Sequence, residues 1–284
     1  MELPQISWID LPGVVNMRDL GGKPTSAGKV TRHGAVLRTD NLQDLPPESV
    51  RRIVDDFGVT DVVDLRTPVE RRGTGDGPLK AESLTFHELT LYPEQADEKG
   101  IPDDRDEEPD RLPWEDEQVL ADRSAHSHEE HLANHYLGYL SQRPDNVLKA
   151  LRAIAHAPGS VLVHCAAGKD RTGTICAMAL TEVGVARDAV VADYDATNER
   201  IELVFQRLAN TPTYADEMAG QTVADQTTPA ETMRMLLASL DELYGDGPDG
   251  GVRAWLRRQG WNEQDSAALH RKLLGADNKT EENR

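Results

Sequence analysis

The stretch VLVHCAAGKDRTG, Val161 to Gly173, decides how this chain folds. Val161 to Val163 reads as a short buried strand, Ala166 to Asp170 supplies small residues and a glycine, and Thr172 onward has the composition of a helix. A strand that turns through such a loop into a helix belongs to an α/β protein with a mainly parallel central sheet flanked by helices. Ligands of such sheets sit at the carboxyl ends of the strands. The loop can curl its N–H groups around one tetrahedral oxyanion, and the positive end of the helix dipole points at the same spot. A dianionic phosphoryl group is then held without a metal ion or other cofactor. Arg171, six positions after Cys165, would close the ring with a planar, permanently charged fork.

The same field favours the thiolate of Cys165, which makes it a nucleophile at neutral pH. Attack on phosphorus would give a phosphocysteine, hydrolysed by water in a second step. The backbone of Ala166, Ala167, Gly168 and Lys169 forms the expected cradle. Thr172 can donate its hydroxyl to the sulfur as it departs, and His164 can bond backbone carbonyls and hold the loop's shape. Two other readings stay open on these residues: a phosphate reader without turnover, and a sulfurtransferase carrying a persulfide on Cys165. A Walker A loop is excluded, because Asp170 follows Gly168-Lys169 and Val163 stands where the first glycine belongs.

The chain has 284 residues and 38% hydrophobic content, enough for a sizeable core. Its formal net charge of -19 argues against nucleic acid and against stable association with an anionic membrane surface. Two cysteines, Cys165 and Cys176, give no disulfide framework and fit a reducing compartment. The start, MELPQISWID, has neither a basic nor an apolar signal region, and no run of roughly 18 apolar residues occurs, which reads as a cytoplasmic protein.

Outward from the loop, Asp145 to Ala157 predicts an amphipathic helix with Val147, Leu148, Leu151 and Ile154 on one face. Pro46 to Phe57 predicts a helix stopped by Gly58, Val62 to Leu65 a strand, and Thr85 to Leu91 another. Residues 94–135 form an acid-rich, proline-rich insertion that reads as a lid rather than core. Thr228-Pro229-Ala230-Glu231 predicts a capped helix start before the apolar run from Met233. A single domain over 1–275 with a flexible tail at 276–284 is expected.

These residues resemble a known family, the bacterial tyrosine phosphatases typified by mycobacterial protein tyrosine phosphatase B. Its loop pattern, His-Cys-x-x-Gly-Lys-Asp-Arg-Thr-Gly, is met from His164 to Gly173. Its Asn-x-Arg-Asp signature stands as Asn16-Met17-Arg18-Asp19, its Asp-Leu-Arg strand end as Asp64-Leu65-Arg66, and its Val-Ala-Asp-Tyr segment as Val191-Ala192-Asp193-Tyr194. The likeness covers nearly everything except the acidic insertion. It implies a tyrosine phosphatase fold with a helical lid. It also implies partners that are phosphorylated proteins or peptides, bearing phosphotyrosine and in some members phosphoserine or phosphothreonine, as well as phosphoinositide headgroups.

A general acid for the leaving oxygen is expected on a carboxylate. Asp170, inside the loop, ranks above Glu94, which stands where the family carries an aspartate after a proline; Asp97 ranks third. Lys169 could reach a neighbouring phosphate or simply support the thiolate. Arg18, Asp19, Arg66 and Glu70 are expected to brace the loop rather than touch substrate. His126, His128, His131 and His135 crowd one stretch, and the last three would share a helical face. Leu132 breaks the zincin pattern, so a solvated histidine face is expected and no metal site.

Overall fold

The computed structural model describes residues 5–93 and 126–275. Glu94, Asp97, most of the acidic insertion and the 276–284 tail lie outside the described residues. The strands are β1 (Ser7–Trp8), β2 (Arg18–Asp19), β3 (Val36–Thr39), β4 (Val59–Asp64), β5 (Thr85–Glu88) and β6 (Ser160–His164). In space they lie in the order β1-β2-β3-β6-β4-β5. β3, β6, β4 and β5 run parallel, and the short β2 and β1 add antiparallel at one edge.

β6 is central because it is apolar on both faces. Val161 and Val163 point into the larger core cluster, and Leu162 into the smaller cluster on the other side, with all three fully buried. Thr39 of β3 and Asp64 of β4 both sit level with His164, so three strand ends converge where the loop begins.

The helices are α1 (Pro47–Arg51), running on as a π-helical turn over Arg52–Asp56, then α2 (Pro68–Thr74), α3 (His128–Gln142), α4 (Pro144–His156) and α5 (Asp170–Glu182). After these come α6 (Arg187–Asp195), α7 (Ile201–Ala209), α8 (Pro212–Ala219), α9 (Ala230–Tyr244), α10 (Gly251–Arg258) and α11 (Glu263–Leu274). Capping boxes open α2 (Thr67 with Glu70) and α3 (Ser127 with Glu130). In α4 the predicted face of Val147, Leu148, Leu151 and Ile154 is buried against the sheet and its neighbours. Each such side chain contributes about 1.5–3 kcal/mol by burial. One cluster runs from Leu20 through α3, α4, α5 and α9 to Leu273, so distant parts of the chain share a core. No described helix is long and apolar enough to cross a membrane.

One expectation is corrected. The α9 start does not use Thr228 as its cap: Pro229 holds the cap position, while the Thr228 N–H and hydroxyl both donate to Asn198 Oδ1, at 2.7 and 3.1 Å. A tertiary acceptor has replaced the local one. Of the 94–135 segment only 126–135 are described; they open α3, which runs on past the segment into the core through Tyr136, Tyr139 and Leu140.

Candidate active site

Cys165 follows β6 directly, is 2% exposed, and sits with Arg171 in the lining of a cavity of about 390 Å³. The loop between them has its carbonyls turned outward and tied down. Cys165 O accepts from His164 Nδ1 (3.2 Å), Ala166 O from the Asn41 N–H (3.0 Å), Ala167 O from Asn16 Nδ2 (2.9 Å) and Gly168 O from Arg38 Nη2 (2.7 Å). The N–H groups of Ala166 to Lys169 meet no acceptor among the described residues. With α5 starting at Asp170, this is an anion cradle at a helix N-terminus. Gly168 is required: its φ is +65°, and a Cβ there would lie 2.3 Å from Thr39 O and 2.7 Å from Asp40 N.

Beneath the loop lies a buried charge cluster. Asp193 of α6 contacts Arg38 (2.6 Å), Lys23 (3.0 Å) and Arg18 (3.6 Å), all fully buried. Burial pushes the Asp193 carboxyl up, yet the three cations outweigh it and hold the group far below the ordinary carboxylate range. Arg18 also donates to Asn16 Oδ1 at 2.6 Å, so the cluster orients the asparagine that grips Ala167. One carboxylate against three cations leaves an excess of positive charge under the cradle, which answers the acidic protein's overall field.

Arg171 is fixed from the opposite side. Its Nη1 and Nη2 donate to the two carboxylate oxygens of Glu70 at 2.6 and 2.8 Å, and Tyr214 Oη donates to the same carboxylate at 3.1 Å. Burial raises Glu70, but the Arg171 guanidinium holds it below the usual range. Glu70 thus braces the loop. Arg18 does so through Asn16. Arg66 ties Asp64 (2.7 Å) to Asn41 (3.2 Å) at the strand ends, whereas Asp19 bonds Gly21, Gly34 and His33 in the β2–β3 turn, away from the loop.

Asp170 Oδ1 accepts a short hydrogen bond from Tyr136 Oη, and its Oδ2 lies 3.7 Å from Lys169 Nζ. Lys169 is 5% exposed and donates to the backbone and side-chain oxygens of Gln226 at 3.0 and 2.9 Å. Its ammonium therefore ties the loop to the cavity wall. Thr172 Oγ1 is buried with no hydrogen-bond partner among the described residues, so its proton is uncommitted next to the cradle. Tyr92, Tyr139, Tyr214, Leu132, Leu208 and Met218 give the cavity aromatic and apolar walls.

A family model described as "Tyrosine phosphatase family" matches residues 9–275. The chain belongs to the tyrosine phosphatase family. A relative in Mycobacterium tuberculosis, the triple specificity protein phosphatase PtpB, is 28% identical over 294 residues, covering 94% of this chain and 99% of the relative. A putative tyrosine-protein phosphatase of Cupriavidus necator is 27% identical over 191 residues, 66% of this chain and 62% of its own. Among solved structures, P. aeruginosa TpbA aligns at 17% identity with a TM-score of 0.33, over 82% of this chain and 94% of that one. TpbA in complex with pTyr aligns at 16% and 0.34 with the same coverage.

In this phosphatase the histidine expectation needs correction. His128, His131 and His135 do share a face of α3, but that face lines the cavity instead of meeting bulk water, and His131 is 8% exposed. His128 Nε2 donates to Thr227 O (3.2 Å), His135 Nε2 lies 2.8 Å from Tyr92 Oη, and the His131 and His135 rings stack. Helical spacing groups the three correctly, yet says nothing about whether the face looks outward or inward. No group of three metal-binding side chains occurs among the described residues.

His164 gives the phosphatase an acid-sensitive foundation. Burial, with Arg66 and Arg171 nearby, pushes its pKa down to about 4 from an ordinary 6.5, against the pull of Asp64. Between those values the unfolded chain binds a proton that the folded one does not, so stability must fall as pH drops from 6.5 towards 4. Asp64, held near 2 in the fold against 3.8, adds a further loss below about pH 4. Urea unfolding should show about 1.6 kcal/mol less stability from His164 alone at pH 5 than at pH 6.5. His164→Asn should flatten that slope; an unchanged slope would refute the assignment.

Proposed function

We propose that this tyrosine phosphatase works through Cys165 as a covalent nucleophile, with phosphotyrosine in proteins or peptides as its first substrate. The observation that carries the reading is the cradle itself: outward-tied carbonyls leave a ring of N–H donors facing the space between Cys165 and the Arg171 fork. In the first step the Cys165 sulfur forms a bond to phosphorus while the phenolic oxygen leaves, taking a proton from the Asp170 carboxyl. In the second, water attacks the phosphocysteine and returns a proton to Asp170. The Thr172 hydroxyl donates to the departing sulfur, and orthophosphate is released. Arg171 and the N–H groups meet the charge gathering on the equatorial oxygens, the place where preorganised donors lower the barrier most.

The aromatic and apolar walls fit a phenyl ring above the cradle. The triple specificity named for the M. tuberculosis relative supports a wider range that includes phosphoserine, phosphothreonine and phosphoinositide headgroups. The fixing of Lys169 on Gln226 favours a structural part for that ammonium over a roaming second phosphate contact. The test is turnover of a phosphotyrosine peptide in excess EDTA, with acid quenching to capture label on the protein. Chelator-resistant turnover and acid-stable thiophosphate on Cys165 are expected. Activity lost on chelation and restored by zinc or magnesium would overturn the reading, and turnover of thiosulfate without that of phosphate esters would point to sulfur transfer.

A further inference from the structure

Asp170 has a partner that its sequence neighbourhood does not announce. Tyr136, on α3, is fully buried, and its hydroxyl donates to Asp170 Oδ1. The Tyr194 hydroxyl lies 2.8 Å from that of Tyr136. Tyr136 has one proton and gives it to the carboxylate, so the Tyr194 proton must be the one shared between the two phenols. Both phenols are kept protonated: burial and the adjacent Asp170 charge raise them far above the ordinary range. The rings are fixed as well, with Tyr136 stacked on Tyr139 at 5.8 Å and edge-on to Tyr194 at 6.1 Å.

We propose that Tyr136, backed by Tyr194, is a positioning residue for Asp170, holding Oδ1 so that Oδ2 alone carries the transferable proton to the leaving group. This rests on Asp170 as the general acid. A fixed Oδ1 keeps the carboxyl aimed at the leaving oxygen in the first step and leaves it in place to receive a proton from water in the second. Lys169 and Arg171 stand beside Asp170 in the loop, and Glu217 and Asp225 line the same cavity. Lys169 Nζ stands 3.7 Å from Oδ2, too far for a hydrogen bond that would fix the carboxyl's rotation as the Tyr136 hydroxyl does.

Tyr136→Phe removes one hydroxyl and keeps the ring stack. It should lower kcat about tenfold for an aryl phosphate with a poor phenol leaving group, and less than about twofold for p-nitrophenyl phosphate, whose leaving group needs little protonation. Tyr194→Phe should open the same gap between the two substrates, by less. Added to Asp170→Asn, Tyr136→Phe should cost nothing further, because its effect runs through the carboxylate.

An equal loss on both substrates would make Tyr136 a packing residue and overturn the proposal, as would no loss at all. If Asp170→Asn itself shows no dependence on the leaving group, the general-acid reading falls and the proposal falls with it. If Asp170→Asn shows that dependence and Tyr136→Phe does not, only the positioning role is refuted. Circular dichroism and melting temperature on Tyr136→Phe separate a folding defect from either outcome, with Tyr194→Phe as the second variant.

Discussion

Replacing Cys165 by serine should lower kcat at least about 10⁴-fold, the scale on which loss of a covalent nucleophile is felt, while leaving the Kd for inorganic phosphate within a few-fold. The two halves of this result have separate causes. A serine hydroxyl at neutral pH is a far weaker nucleophile than a thiolate, and no base among the described residues is bonded to the Cys165 side chain to activate it. Phosphate affinity survives because the cradle is held from behind: Asn41, Asn16 and Arg38 grip carbonyls of Ala166, Ala167 and Gly168, none of which depends on the sulfur. Isothermal titration with phosphate beside steady-state kinetics reads both. A serine variant retaining a few per cent of turnover would remove Cys165 from the mechanism.

Arg171→Lys is the second large effect, on the order of 10³-fold in kcat. The guanidinium has to face two ways at once. Two of its N–H groups span the oxygens of Glu70, Nη1 also donates to Leu65 O at 3.2 Å, and the same guanidinium lines the cavity. An ammonium keeps the charge but cannot satisfy both oxygens of Glu70 and reach two phosphoryl oxygens as well. Because a cation remains against the buried Glu70, the stability loss should stay below the ~3–5 kcal/mol expected when one member of a buried pair is removed outright. A kcat within tenfold of the parent, measured with p-nitrophenyl phosphate at saturation, would contradict the role.

The contiguous part of the site was legible in the sequence because a strand, a loop and a helix start carry their own geometry. Cys165, the cradle residues and Arg171 lie in one segment, and β6 and α4 announce themselves by apolar run and apolar face. What surrounds that segment was harder. β1 and β2 are two residues long, and β3 is four residues between Gly34 and Asp40, too short for any periodicity to register. Arg38 and Asp193, which meet under the loop, are 155 positions apart. Polar residues beside apolar runs, Arg38 after Val36-Leu37 and Asp193 after Val190-Val191, are the one local signal that could have raised them, since a charge there needs a buried partner. Tyr136 gave no such signal: a tyrosine on an amphipathic helix looks like any core aromatic until Asp170 arrives from the far side. Glu94, the rival carboxylate, lies outside the described residues, so Asp170 stands on its own contacts.

The outward-tied loop also settles where its ordering entropy falls. The backbone of Cys165 to Lys169 loses its conformational freedom during folding, not when a ligand arrives, so almost none of the binding energy of an incoming oxyanion is consumed in shaping the site. Orthophosphate presents the same tetrahedron of oxygens as the ester it came from. A cradle this well prepared for the one is equally prepared for the other, and the enzyme is left open to inhibition by its own product, its working rate tied to the free phosphate around it.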